Sequence, residues 1–466
     1  MIEIQIAGAG AGKTYGLSER IFECNNLSNS HKLIYAITFT NSAKNKISET
    51  IIKKYGYVPE KIKIETVHSF FLNEIIYPYS RYSLSEVFNN AVSHKLPSDF
   101  SWKRNKKNKL KERNIIHNED VFQKAKIIID RNNSKHSNRL KRERVDLLIS
   151  HITSKISHIF IDESQDLDLD ALKAFEILGL NNIKTYMIGD PKQAIKYPTD
   201  FSDFIKECKT KESDLYNILP NNNITKRLPI EVLKISNLFC PSDQEQKIEI
   251  SKNGKVNYTT TNESDFYQTF EYYKSIGKLI FIEKKQGLYD THNNSNKIYF
   301  PLTLEEKLRE LKNFSHLDKD IFIKSLLSEL ENQLKNYSVF DVLKKFEAKY
   351  SLSLETFEYA ELRDTLNNSL NDNQSKYIVS SIDAVKGIES DICIFLLNET
   401  MYNYLIKNIS KDKYHNKIWK KLYVALTRTS NTLIFAIDKS LFPNIQIENI
   451  IVELEKLGIT KSETGM

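Results

Sequence analysis

Four cysteines in 466 residues, Cys24, Cys208, Cys240 and Cys393, are scattered and form no C-x-x-C pair. That argues against a zinc site or a disulfide frame and fits a reducing, cytoplasmic setting. The ten histidines fall into no metal-ligand spacing, and no internal repeat is found. Long apolar runs are missing too. Stretches such as Cys393–Leu397 are far too short to span a bilayer, and no apolar signal segment is expected ahead of residue 7, so no membrane partner is expected. Neither sign of charge dominates: 67 Lys and Arg against 60 Asp and Glu leave +7, a balance that permits nucleic acid as a partner without requiring it. With 40% hydrophobic and 27% charged residues the chain has an ordinary globular balance, and its length implies two to four structural units.

What is present starts at once. Ile2–Ile6 reads as a short strand, Lys13 to about Cys24 as a helix, and between them lies Ala7-Gly8-Ala9-Gly10-Ala11-Gly12-Lys13-Thr14. Strand, small-residue turn, Gly-Lys-Thr and helix form the context of a phosphate-binding loop. Small residues let consecutive backbone N–H groups close around a polyphosphate, and the helix N-terminus favours its charge. Lys13 would reach the β- and γ-phosphates, and Thr14 would hold Mg²⁺. The strict pattern has glycine where this chain has Ala7. In isolation the stretch could also be a Gly/Ala turn with an incidental Lys-Thr.

The chain continues with Leu33–Thr40 as a buried strand and Ile62–Glu65 as another, leading into Thr66-Val67-His68-Ser69-Phe70. A region at about 79–152 changes character, with basic clusters at 102–113 and 139–144, and is expected to be a helical insertion. Ser157–Ile161 then delivers two carboxylates, Asp162 and Glu163, at a strand end, and Ile183–Ile188 ends in Gly189-Asp190-Pro191-Lys192-Gln193. Asp162 would serve Mg²⁺, Glu163 would polarise the attacking water, and neutral Gln193 would contact the γ-phosphate. Strands and helices that alternate imply a parallel, doubly wound sheet with its ligands at the carboxyl ends of the strands. The alternation resumes at Lys255–Thr260 and Lys278–Glu283 around a helix. A reduced helical insertion at about 301–375 follows, and Tyr377–Ile382, Asp391–Leu397 and Thr432–Ala436 close a second sheet. The expected fold class is α/β: two doubly wound parallel-sheet domains, 1–205 and 206–466, each with a helical insertion.

Seven collinear stretches carry a resemblance: Ala7–Thr14, Thr38–Asn41, Thr66–Phe70, Asp162–Asp166, Gly189–Gln193, Val385–Glu389 and Tyr423–Arg428. In this order they resemble the UvrD/Rep/PcrA group of superfamily 1 DNA helicases, over about residues 7–437. The resemblance implies that the two doubly wound parallel-sheet domains are RecA-like, with ATP and Mg²⁺ bound between them. Gly8, Ala9, Gly10, Ala11, Gly12, Lys13, Thr14, Gly387 and Glu389 would hold nucleotide, with Glu389 on the ribose. Arg227 and Arg428 would be the arginine fingers. Phe39, Thr66, His68 and Ser381 match positions that face single-stranded DNA, and Tyr197 is the ring left in the stretch that stacks on bases. Movement would run 3′ to 5′ on single-stranded DNA or a tailed duplex. The compact build is similar to the helicase-like subunits of Gabija anti-phage systems, which implies a nuclease or effector partner.

Departures from the family pattern bear on both ligands. No glutamine motif that reads adenine is expected ahead of Ile6, which leaves Tyr15 as the ring expected near the base. Lys226 stands where the family has a tyrosine before the arginine. Ala194–Asp200 has one Tyr where the family has several stacking groups. Stacking contributes roughly 1–3 kcal/mol per base. The leading expectation is therefore an ATP-driven helicase or translocase, set against a DNA-responsive ATPase switch that gates an effector and unwinds little. A weaker pattern, Asp265 with Glu283-Lys284-Lys285, resembles a nuclease core. The basic runs near Trp102 read equally as a duplex-binding face or a solvated one.

Overall fold

The computed structural model describes residues 1–27, 30–93, 96, 99–211, 213–249, 252–261, 279–282, 298–311, 319–370, 378–383, 385, 388–406 and 416–462. The first strands are β1 (Ile2–Ile6), β2 (Leu33–Thr38) and β3 (Ile62–Thr66). Two three-residue strands follow, β4 (Asn90–Val92) and β5 (Ile115–His117), and then β6 (Ile156–Ile161), β7 (Lys184–Gly189) and β8 (Tyr216–Ile218). Six of these form one sheet in the order β3-β2-β6-β7-β1-β8, with every pairing parallel. Interior strands β2 and β7 are buried almost throughout, as a parallel sheet covered on both faces requires. The first sheet runs past the expected boundary at 205, because β8 pairs with β1 through Ile2 and Tyr216. A three-residue edge strand is too short for its alternation to stand out in sequence.

A small parallel pair, β9 (Ile224–Thr225) with β10 (Lys247–Ile248), joins the lobes. The second sheet comprises β11 (Lys255–Thr261), β12 (Leu279–Ile282), β13 (Ile378–Ser381), β14 (Ser390–Leu397), β15 (Thr429–Asp438) and β16 (Thr460–Lys461). Its order is β13-β12-β14-β15-β11-β16, again all parallel. The fold class is thus two doubly wound parallel sheets. The helix expected between β11 and β12, and Asp265 with Glu283-Lys284-Lys285, lie outside the described residues. Helices Glu399–Ile406 and Ile447–Lys456 and strand β16 are additions to the expected set.

The two insertions are built differently. The first holds helices Tyr77–Leu84, Phe100–Glu112, Val121–Ile129 and Arg139–Lys155, together with the unexpected pair β4 and β5. Its Phe122, Ala125, Ile128 and Ile129 share one core with Phe70, Phe71 and Phe175 beneath the first sheet. The second insertion packs around its own core, with Leu326, Leu330, Leu343, Phe346 and Leu362. They meet where Ile321 packs against Val92, Leu110 and Ile115 and Lys324 donates to the Ala91 carbonyl at 3.4 Å. Among the described residues no helix is long and apolar enough to cross a membrane.

Candidate active site

Sheet order builds the first half of the site. β1 lies beside β7 with Ile6 opposite Gly189, and β6 lies between β7 and β2, so the loops after β1, β6 and β7 emerge together. The Ala7 N–H donates to the Gly189 carbonyl at 3.0 Å. Gly10 and Gly12 take φ of 70° and 75°, the left-handed conformation that glycine tolerates and alanine resists. Lys13 opens the following helix, buried, with its ammonium 3.4 Å from the Gly8 carbonyl. The Thr14 hydroxyl donates to Asp162 Oδ2 at 2.7 Å.

A hydroxyl and a carboxylate joined at a helix N-terminus beside a lysine are a hard-oxygen donor pair. That chemistry fits Mg²⁺ on a polyphosphate. Thr14 and Asp162 would hold the ion, which when bound would neutralise charge on the phosphate oxygens. Burial raises the Asp162 carboxyl pKa, and Glu163 beside it adds to the rise, while Thr14 and Lys13 oppose it. Glu163 sits at φ 53°, a left-handed position for a non-glycine residue. Its N–H donates to Asp162 Oδ1 at 2.9 Å, and the Gln165 amide donates to its carboxylate. Backbone strain of this kind costs of order 1–3 kcal/mol and concentrates at functional sites.

The second half arrives from the other lobe. Arg428 ends the turn after helix Lys417–Leu426 and is buried. Its Nη2 donates to Gln193 Oε1 at 3.1 Å and its Nε to the Val424 carbonyl at 3.0 Å. Burial, with Arg227 nearby, lowers its pKa to about 10, against the pull of Glu163, so it stays charged at neutral pH. Gln193 is held in turn, because its amide donates to Asp190 Oδ2 at 3.0 Å. Burial alone would raise the Asp190 carboxyl, but Lys192, Lys13 and the Gln193 bond outweigh it and hold the pKa low. Arg227 is ion-paired with Glu389 and donates to the Thr427 carbonyl at 3.3 Å. These groups stand at the amino ends of the second sheet, where Ser390 of β14 pairs with Thr429 of β15. Tyr15 is exposed on the first turn after the phosphate loop. Gly387 lies outside the described residues.

Three of the strand-facing candidates cluster. Thr38 pairs with Thr66 across β2 and β3, which sets Phe39 and His68 side by side with ring centroids 5.9 Å apart. Lys196 lies 4.8 Å over the Phe39 ring and 5.0 Å from the Tyr197 ring. Burial, reinforced by Lys196, lowers the His68 pKa to about 4, so the imidazole is neutral. The Thr66 hydroxyl caps helix Val67–Phe71 by accepting from the Ser69 N–H. Ser381 ends β13 on the other lobe, and among the described contacts none joins it to the Phe39 group.

Residues 2–198 match the family described as AAA domain. The chain is also similar to Gabija protein GajB of Bacillus cereus (strain VD045), with 24% identity across 98% of its own length and 97% of the relative. Among solved structures it is similar to the Arterivirus nonstructural protein 10 helicase, at a TM-score of 0.36 and 9% identity, covering 96% of this chain and 61% of that one. The complex of that helicase with DNA gives a TM-score of 0.37 at 9% identity, covering 93% and 59%. The chain spans about three fifths of these viral chains.

Sequence reasoning missed several polar groups of this candidate site. Gln246 and Tyr423 are buried between the lobes, and the Gln246 amide donates to the Ala9 carbonyl at 2.7 Å. Lys420 donates to the Pro191 carbonyl at 2.6 Å. Tyr423 and Lys420 sit in the helix that leads to Arg428, so their position there was the available signal. Gln246 lies in an irregular stretch with no motif to mark it.

Proposed function

We propose that the chain hydrolyses Mg²⁺-ATP in the cleft between its two sheets and uses the cycle to move 3′ to 5′ along single-stranded DNA. The observation that carries this reading is the Gln193–Arg428 bond across the cleft, beside the phosphate loop. A cation from the second lobe touching the first lobe's γ-phosphate candidate makes turnover depend on closure, and closure and opening are the strokes of a motor. Lys13, Thr14 and Asp162 bind phosphate and metal, Glu163 orients water, and Arg227 and Arg428 meet the charge that develops in transfer. The Phe39, His68 and Tyr197 cluster faces the strand. Similarity to GajB supports a role in anti-phage defence, in the cytoplasm, with a nuclease or effector subunit as partner.

A second reading, a DNA-responsive ATPase switch with little unwinding, is favoured by one observation. Lys196 rests on the Phe39 and Tyr197 rings, where a translocase would stack bases. The test measures ATPase with and without single-stranded DNA, and strand displacement on 3′- and 5′-tailed duplexes, for wild type and Lys13→Ala. The motor reading expects DNA-stimulated turnover and displacement from the 3′ tail, both lost in Lys13→Ala. Stimulated turnover without displacement leaves the switch. Turnover indifferent to DNA sinks both.

A further inference from the structure

The Tyr423 side chain lies wholly inside the interface between the lobes, and its single hydroxyl meets three groups. It accepts from the Ala9 N–H of the phosphate loop at 3.4 Å. It can donate to Gln246 Oε1 at 2.8 Å or to Asp190 Oδ2 at 3.3 Å. Burial pushes its pKa well above the ordinary value, with the charge on Asp190 adding to the effect, so the proton stays. Asp190 Oδ2 also accepts from Gln193, and Gln193 accepts from Arg428. Arg428 returns to the same helix through the Val424 carbonyl, and the Thr427 hydroxyl donates to the Tyr423 carbonyl at 2.8 Å. With the hydroxyl proton directed to Asp190 rather than to Gln246, the circuit closes: phosphate loop, Tyr423, Asp190, Gln193, Arg428 and back to the helix that carries Tyr423.

Gln246 fixes the loop side of this circuit. Its backbone is clamped by Asn237, which accepts from the Gln246 N–H at 3.0 Å and donates to its carbonyl at 2.9 Å. Its amide fills the space a Cβ on Gly8 would need, 2.5 Å from that point. Glycine at position 8 thus admits a second-lobe side chain, in addition to leaving room for phosphate.

We propose that Tyr423 is a positioning residue for ATP turnover. Its hydroxyl ties the phosphate-loop backbone at Ala9 to Asp190, and through Asp190 to the Gln193–Arg428 pair. The arginine is then aimed while the loop holds the shape in which Ala9 N–H reaches the hydroxyl. This inference rests on the reading that the cleft hydrolyses ATP, and it assigns a coupling role to a group that touches neither substrate nor metal. The deletion is small: Tyr423→Phe keeps the ring, including its position 5.3 Å from the Lys192 ammonium, and removes one oxygen.

Losing one buried hydrogen-bond link is expected to lower kcat about tenfold. The KM for ATP and the affinity for a fluorescent ATP analogue should hold within about twofold, because the loop's own phosphate contacts remain. The deciding measurement is a double-mutant cycle with Arg428→Ala. If Tyr423 acts through Arg428, Tyr423→Phe lowers kcat in the wild-type background and not in Arg428→Ala. Asp190→Asn, the next link, should show the same split and the same non-additivity, which keeps the test available should Tyr423→Phe fold poorly. An unchanged kcat in a folded Tyr423→Phe overturns the proposal. So does a loss of kcat that adds fully to that of Arg428→Ala, or a loss that only tracks a fall in Tm. Absence of ATP turnover in wild type overturns the hydrolytic reading itself and this inference with it, and is a separate outcome from the others.

Discussion

At the scale of single residues, burial decides which candidates are charged. His68 packs on Phe122 with centroids 4.5 Å apart and beside Phe39, with Lys196 close by. Its pKa falls from the ordinary value near 6.5 to about 4. The unfolded chain therefore binds a proton at higher pH than the native state does. This contribution to stability is whole above pH 6.5 and is lost as pH falls from there toward 4. Thermal unfolding followed across that window should show Tm dropping with pH more steeply in wild type than in His68→Gln. Equal slopes would show that His68 titrates normally. His158, lowered to about 4 by burial and by Lys184, contributes in both proteins and so cancels from the comparison. Neutral His68 also means that any strand contact it makes at neutral pH is a ring or hydrogen-bond contact rather than a charge.

At the scale of elements, the phosphate loop is shaped as much by the other lobe as by its own strand and helix. A Cβ on Gly10 would stand 2.6 Å from Arg227 Cβ and 2.7 Å from Thr225 Oγ1, whereas a Cβ on Gly12 would meet nothing within 4 Å. Both glycines have positive φ, so alanine at either pays the left-handed strain of roughly 1–2 kcal/mol. Gly10→Ala adds a steric clash that must move Arg227 or open the cleft. Urea unfolding of the two variants should therefore separate them, with Gly10→Ala losing at least about 1 kcal/mol more than Gly12→Ala. Equal losses would mean that the cleft is open in solution. The same proximity explains why Arg227, in the irregular setting Thr225-Lys226-Arg227-Leu228, still reaches the loop: β9 brings it there.

At the scale of the molecule, a ligand held by both lobes must stabilise the closed form by mass action. At a concentration 100 times Kd the gain is about 2.7 kcal/mol. Mg²⁺-ATP should raise the Tm of Glu163→Gln, which keeps the groups proposed for phosphate and metal while losing the carboxylate proposed to orient water. It should leave the Tm of Lys13→Ala nearly unmoved. A differential scanning fluorimetry series with both variants checks this, and normal turnover by Glu163→Gln would remove that residue from its assigned role. The opposing insertions make contact through Ile321 and Lys324, so closure of the cleft and contact between insertions belong to the same arrangement of the chain.

Local chemistry was legible without coordinates wherever a motif is contiguous. The strand, small-residue turn and Gly-Lys-Thr of Ala7–Thr14, the carboxylates ending Ile159–Ile161, and helix Lys417–Leu426 are encoded over consecutive residues, so their character survives in the string. That the sheets are parallel, with their loops at the carboxyl ends of the strands, follows from the alternation of strands and helices, whereas the strand order that brings Thr14 to Asp162 does not. What sequence could not supply was everything set by distance across the chain. The three-residue strands β4, β5 and β8 lack the length to show a period. Gln246 lies 237 positions from the Ala9 carbonyl it bonds, and Tyr423 lies 233 positions from Asp190. Sequence alone marked a phosphate-loop motif within a two-sheet α/β fold. Tertiary structure decided which second-lobe groups close over that loop, because a hydrogen bond depends on positions a few ångströms apart and on burial, neither of which is written at any single place in the chain.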